Sequence, residues 1–227
     1  MRILLANHVP LDDADAGLST SRLAARLQAA GHDVRAIVVD RDQKRDEETI
    51  VTQRIVCGSS ASRADLAFQP PRFGSHAGDQ PRFAALTDEQ LVVYRDALRT
   101  AVDAEVADFD PQVIHCAQIW LFGHLALESG VPYVLEGNNA ELDEYDADPR
   151  YRRLADEAAE NAGRIIVANA AVYARVHQMF GDLDGRVVIV PTAANDVSRI
   201  DDSNVPLEWL TDIYAHVLAD RHGAQDG

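Results

Sequence analysis

MRILLANHVPLDDADAGLSTSRLAARLQAAGHDVRAIVVD (residues 1–40) holds one complete strand–helix–strand unit. Arg2 to Ala6 is a short apolar run that stops at Asn7-His8-Val9-Pro10, the pattern of a buried strand. Ser19 to Ala30 follows with helical spacing that puts Leu23, Leu27 and Ala30 on one face. Gly31 then stands where a helix ends in a left-handed residue. Val34 to Val39 is β-branched and apolar, a second buried strand. Two strands joined through a helix lie parallel, with a right-handed crossover.

The alternation continues outward from this unit. Ile50 to Val56 reads as a third strand, and Cys57 to Phe83, rich in Ser, Gly, Pro and Arg, as a long loop with short irregular pieces. Thr87 caps a helix that carries Asp88-Glu89-Gln90 in its first turn and reaches about Ala107. Val113 to Cys116 is a strand, Trp120 to Glu128 a helix, and Tyr133 to Leu135 a strand. Asp148-Pro149 opens another helix, where proline's missing N–H costs little. Arg164 to Val167 (strand), Ala170 to Met179 (helix) and Arg186 to Val190 (strand) complete the series, which Pro191 ends. Of these seven strand segments, five or six are expected to form one parallel sheet. The fold class is α/β, a single doubly wound, mostly parallel Rossmann-like sheet with helices on both faces. The expected organisation is one domain over 1–191, a polar linker over 192–205, and an amphipathic helix over 206–222. That helix has Leu207, Leu210, Ile213, Tyr214, Val217 and Leu218 on one face, laid back on the domain.

Composition limits the partners. Asp and Glu number 37 against 21 Lys and Arg, a formal charge of −16, so the surface repels nucleic-acid phosphates and anionic lipid heads. It tolerates a cationic ligand, although acidity also serves plain solubility. The opening apolar run is too short for a signal peptide, and no stretch approaches the roughly 20 apolar residues of a membrane span. Cys57 and Cys116 share no motif. The expectation is a cytoplasmic protein with two reduced thiols.

Ligands in open parallel sheets bind beyond the carboxyl ends of the strands. The loop before Gly17-Leu18-Ser19 lies there, where a helix N-terminus favours an anion or a hydroxyl. It lacks both the three spaced glycines of a dinucleotide fingerprint and a phosphate loop, and Ser19 serves equally as a helix cap. His115, at the end of the fourth strand, reads as a general base or sugar hydrogen-bond donor, or as a core histidine bonded to its surroundings. Gln118 follows it. No pair of histidines has zinc spacing, so no metal is expected. The densest polar cluster is Glu136-Gly137-Asn138-Asn139-Ala140-Glu141, directly after a buried strand. Glu136, Asn138, Asn139 and Glu141 suit sugar hydroxyls or an ammonium group. Turn chemistry followed by a solvated acidic loop over Glu141 to Asp146 is the competing reading.

Together these segments resemble the N-terminal half of family 4 glycosyltransferases of GT-B fold. The opening strand, the Gly17 loop, and Ala24-Ala25-Arg26-Leu27 through Ala30-Gly31-His32-Asp33-Val34 carry the resemblance at one end. Asp110-Pro111-Gln112-Val113-Ile114-His115, Ala126-Leu127-Glu128-Ser129-Gly130-Val131-Pro132-Tyr133-Val134, Asp148-Pro149-Arg150-Tyr151-Arg152 and Arg186-Val187-Val188-Ile189-Val190-Pro191 extend it over residues 1–191. It implies sugar transfer from a nucleotide sugar to a small soluble acceptor, without a metal or other cofactor. His115 would be catalytic, and Gly17, Leu18, Ser19, Gln118, Glu136, Asn138, Asn139 and Glu141 would bind the acceptor.

The departures bear on activity. Gln118 and its neighbours offer no second histidine after His115, and Asn138-Asn139-Ala140-Glu141 replaces the family's usual His-Gly-Thr-Asp. Too few residues follow Pro191 for the family's second, donor-binding domain. Yet Pro206 to Leu218 resembles the helix that closes such proteins. The chain therefore reads as a GT-B protein with its donor domain excised, by nature or by engineering. The nucleotide-sugar site would be absent and a separate donor-binding partner needed. The acidic charge suggests a sugar or aminocyclitol-like acceptor. The alternative is a non-catalytic paralogue that supports a full-length transferase or forms a homodimer.

Overall fold

The computed structural model describes residues 1–9, 17–41, 50–58, 65–73, 81–190 and 205–225. Among these, seven strands form one all-parallel sheet: β1 (Arg2–Asn7), β2 (Asp33–Asp40), β3 (Val51–Val56), β4 (Val113–Cys116), β5 (Tyr133–Gly137), β6 (Arg164–Val167) and β7 (Val187–Ile189). The spatial order is β3-β2-β1-β4-β5-β6-β7. The sequence pattern gives five or six. All seven fall in segments that the pattern marks as strands, including the edge strands β3, with polar Thr52, Gln53 and Arg54, and the three-residue β7, and all seven pair.

Helices cover both faces unequally, and the strands alternate between them. Leu4, Ala6, Ile114, Cys116 and Leu135 point into one core. That core is roofed by α2 (Asp88–Phe109), α3 (Phe122–Ser129), α4 (Asn139–Ala147), α5 (Pro149–Asn161) and α6 (Ala170–Phe180). Ile3, Leu5, Val113 and Val134 point into a second core under α1 (Gly17–Ala29) and α7 (Leu207–Gln225). Burial on both faces is why these strands read as continuous apolar runs.

Local signals explain the helix ends. Thr87 and Gln90 make a reciprocal capping box at α2, and Asp148 caps α5 with Pro149 in its first turn. Gly31 follows α1 at φ +84°, a conformation that glycine adopts without strain. One of the two competing readings is overturned. Glu141 to Asp146 is not a solvated acidic loop but lies in α4, with Glu141, Leu142, Glu144 and Tyr145 buried.

The final helix lies on the sheet. Leu210, Ile213, Tyr214 and Val217 are buried in the second core, and Arg26 Nη2 donates to the Val205 carbonyl at 2.7 Å. Gly163, just before β6, lets the helix come close. A Cβ placed there would lie 2.5 Å from Val217 Cγ1. The sequence range 192–205 expected as a linker falls, except for Val205, outside the described residues.

Candidate acceptor crevice at the carboxyl ends of the strands

The sheet's order reverses between β1 and β4, the kind of point beyond whose strand ends parallel sheets bind ligands. The polar side chains there engage one another. Gln118 Nε2 donates to Asn7 Oδ1 (3.0 Å), Asn7 Nδ2 donates to Thr20 Oγ1 (2.7 Å), and Gln118 Oε1 accepts from His8 N (3.3 Å). Asn7 and Gln118 are both buried. Gln118 thus ties the end of β4 to the end of β1.

His8 was not singled out by its sequence position, yet it organises this end of the molecule. Its Nε2 lies 3.0 Å from Leu121 N and 3.1 Å from the Trp120 carbonyl, and its Nδ1 lies 2.7 Å from the Tyr94 hydroxyl. Phe83, Trp120 and Phe122 surround the ring. Burial pushes its pKa down to about 3, so the ring is neutral in this apolar box. Its partners lie 86 and 113 residues away in sequence, so no local pattern marks it.

His115 sits opposite Leu5 of β1 and faces the second core, 3% exposed. Its Nε2 is 2.8 Å from Glu136 Oε1 and its Nδ1 is 2.6 Å from the Tyr214 hydroxyl. Both ring nitrogens are engaged, one by the next strand and one by the closing helix. Glu136 keeps a side chain 18% exposed at the carboxyl end of β5.

The residues after β5 divide into helix-formers and exposed groups. Asn138 is the N-cap of α4, its Oδ1 accepting from Glu141 N at 3.0 Å. Asn139 is exposed, and its Oδ1 accepts from Arg175 Nη1 at 2.9 Å. Glu141 is fully buried. Its Oε1 accepts from Trp120 N at 2.8 Å and makes a short bond with the Tyr145 hydroxyl. Burial pushes its pKa up to about 8, so it is a neutral acid at neutral pH that clasps α4 to the segment after β4. The spacing Asn138-x-x-Glu141 matches a capping pattern and is the signal that could have predicted this helix. Gly137 lies close to Val167 and Val176, which a Cβ would meet at 3.3 Å. Asn169, at the end of β6, caps α6.

Gly17, Leu18 and Ser19 open α1, but their side-chain surroundings fall outside the described residues. Among the described residues no cluster of three His, Cys, Asp or Glu is placed to hold a metal, and no helix is long and apolar enough to cross a membrane. The structure therefore brings His115, Gln118, Glu136, Asn138 and Glu141 to one end of the sheet. Of these, only Glu136 and Asn138 retain partial exposure.

Comparison with known proteins agrees with this architecture. A family model described as "Glycosyl transferase 4-like domain" matches residues 16–193. No curated protein matches the sequence. Among solved structures, a sucrose-phosphate synthase from Thermosynechococcus elongatus superposes with TM-score 0.60 at 16% identity, covering 86% of this chain and 49% of the synthase. The chain thus spans about half the length of that protein. A shorter chain of the same synthase matches with TM-score 0.58 at 16% identity, covering 96% of this chain and 99% of that one. A UDP-GlcNAc 2-epimerase from Methanocaldococcus jannaschii matches with TM-score 0.50 at 9% identity, over 84% of this chain and 45% of the epimerase. At such identities these likenesses establish the fold.

Proposed function

Because this chain belongs to the glycosyl transferase 4-like domain family, we propose that it binds the acceptor in a sugar transfer whose nucleotide-sugar donor is held by a separate donor-binding partner. The acceptor is a small sugar or an aminocyclitol-like polyol, seated over the carboxyl ends of β4 and β5. The observation that carries this reading is Glu136. It is a partly exposed carboxylate at the edge of an otherwise engaged polar floor, with one oxygen already oriented by His115. A carboxylate so placed accepts a hydrogen bond from a hydroxyl or an ammonium group. In this reading Glu136 touches the reacting hydroxyl, and the His115–Glu136 pair takes its proton as the sugar arrives. Asn138, Asn139 and the opening of α1 at Gly17, Leu18 and Ser19 line the acceptor's flanks. Gln118 and Glu141 fix the floor. The shorter synthase chain, covered almost end to end, supports treating a unit of this size as a folded half. The two free, buried thiols of Cys57 and Cys116 favour the cytoplasm as its place of action.

The test has two arms. Calorimetry of the chain with UDP-glucose, D-glucosamine and myo-inositol should show binding of a polyol and none of the nucleotide sugar. Tight UDP-glucose binding would refute the division of labour. Release of UDP should then appear only when a donor-binding partner is added, and Glu136→Ala should abolish it.

A second reading is a non-catalytic paralogue that supports a full-length transferase. The engagement of both His115 ring nitrogens by Tyr214 and Glu136 favours it, because that ring has no free nitrogen for an acceptor. Enhanced turnover by a full-length transferase that persists with Glu136→Ala would select this reading.

A further inference from the structure

We propose that Tyr214, on the closing helix, is a positioning residue for the crevice, holding His115 so that its Nε2–H is aimed at the Glu136 carboxylate. The proposal rests on the acceptor reading of Glu136 and adds a part of the chain that reading did not use.

The geometry runs in one direction. His115, Glu136 and Tyr214 come from β4, β5 and α7, with sequence separations of 21 and 99 residues, and all lie on the α7 side of the sheet. His115 is 3% exposed, so each ring nitrogen takes a protein partner rather than water. A carboxylate oxygen only accepts, so the nitrogen 2.8 Å from Glu136 Oε1 bears the hydrogen. In the proposed tautomer that is the ring's one N–H, which leaves Nδ1 as a lone pair facing the Tyr214 hydroxyl at 2.6 Å. The phenol donates to the imidazole and the imidazole donates to the carboxylate. Tyr214 is fully buried, its ring edge-on to His115 at 5.8 Å between centroids, so the donor is held rigidly. Without that hydroxyl, nothing described holds Nδ1, and the ring can swing its Nε2–H away from Glu136. A closing helix that only covered the sheet would have no need of a hydroxyl at this buried position. A phenylalanine would avoid the desolvation of a polar group.

The experiment uses the full chain with nitrogen-15-labelled histidine. In the wild type the His115 signals should show a protonated Nε2 and a bare, hydrogen-bonded Nδ1. The opposite pattern overturns the proposal without any variant. Tyr214→Phe keeps the ring and removes the donor. The Nε2–H is expected to exchange with water at least about tenfold faster, and affinity for D-glucosamine to fall about three- to tenfold, the loss of one hydrogen bond. Glu136→Gln, whose amide oxygen still accepts, should keep slow exchange. Unaltered ring signals in Tyr214→Phe, with sugar binding intact, overturn the positioning role alone. A wild-type chain that binds neither D-glucosamine nor myo-inositol overturns the acceptor reading, and the positioning role with it. The ring signals need no sugar, so the two failures are distinguishable.

Discussion

Replacing Gly163 by alanine tests how α7 is held. The added Cβ would stand 2.5 Å from Val217 Cγ1, 2.7 Å from Cγ2 and 3.1 Å from Cβ. Ordinary contact needs about 3.5 Å, so the helix must yield by about 1 Å. Rotation of the valine gives no relief, because a β-branched side chain on a helix has one strongly preferred rotamer and both methyls collide. The helix must lift as a body. A gap of about 1 Å forfeits up to about half of each van der Waals contact beneath it. Leu210, Ile213 and Tyr214 share that interface. Overpacking of this kind costs about 1–3 kcal/mol, and we expect about 2 kcal/mol. Val217→Ala alone should cost about 1–2 kcal/mol through its lost methyls. In the double variant both methyls are gone and the collision eases, so the losses should be less than additive by about 1 kcal/mol or more. Urea titrations followed by helical ellipticity, and by the fluorescence of Trp209 on the same helix, measure all four corners of the cycle. Strict additivity, or a Gly163→Ala chain within about 0.5 kcal/mol of wild type, would refute the reasoning.

Three further expectations concern the strand ends. Glu141 holds its proton in the fold up to about pH 8 but loses it in the unfolded chain near about pH 4.3, so the stability it contributes declines as pH rises between them. Glu141→Gln has no such proton, and its urea midpoint relative to wild type should climb across that window. Parallel curves would contradict the buried neutral acid. His8 behaves oppositely: its pKa is about 3 in the fold and about 6.5 when unfolded, so stability present above pH 6.5 is lost as pH falls through that range. His8→Leu should cost about 2–4 kcal/mol at pH 7, leaving the Tyr94 hydroxyl and Leu121 N–H without their partner, and should flatten the acid limb of the stability profile. Asn138→Ala removes the α4 cap and should lower stability by about 1 kcal/mol in the same titration, whereas Asn138→Asp should restore most of it.

The fold was legible where local chemistry repeats the global answer. Arg2 to Ala6 and Val34 to Val39 are apolar because both faces of their strands are covered, and Thr87, Asp148-Pro149 and Gly31 mark helix ends by their own backbone demands. Even the edge strands β3 and β7 fall in segments that the apolar pattern marks, 50–56 and 186–190. The site was legible only by position. Placing Gln118, Glu136 and Asn138 beyond strand ends needs no more than the βα alternation. Their partners do not follow from it. Glu141 appears in sequence as one of several carboxylates in an acidic run, and its burial depends on Trp120, brought to it by the sheet order, as well as on Tyr145 one turn on in α4. His8 gains its role from Tyr94 and Leu121, and His115 from Tyr214, contacts that exist only once the layers are assembled.

Val190, just past β7, and Val205, just before α7, are both buried in the core beneath the closing helix. Two buried anchor points in the same core thus flank residues 191–204. The entropy of closing a loop between fixed ends grows only with the logarithm of its length, about 0.6 kcal/mol for each doubling. A folded body whose termini lie close together can thus be spliced between these anchors at little cost to the sheet. The pair forms a natural port, at which a further folded body can be inserted or exchanged while the sheet keeps its shape.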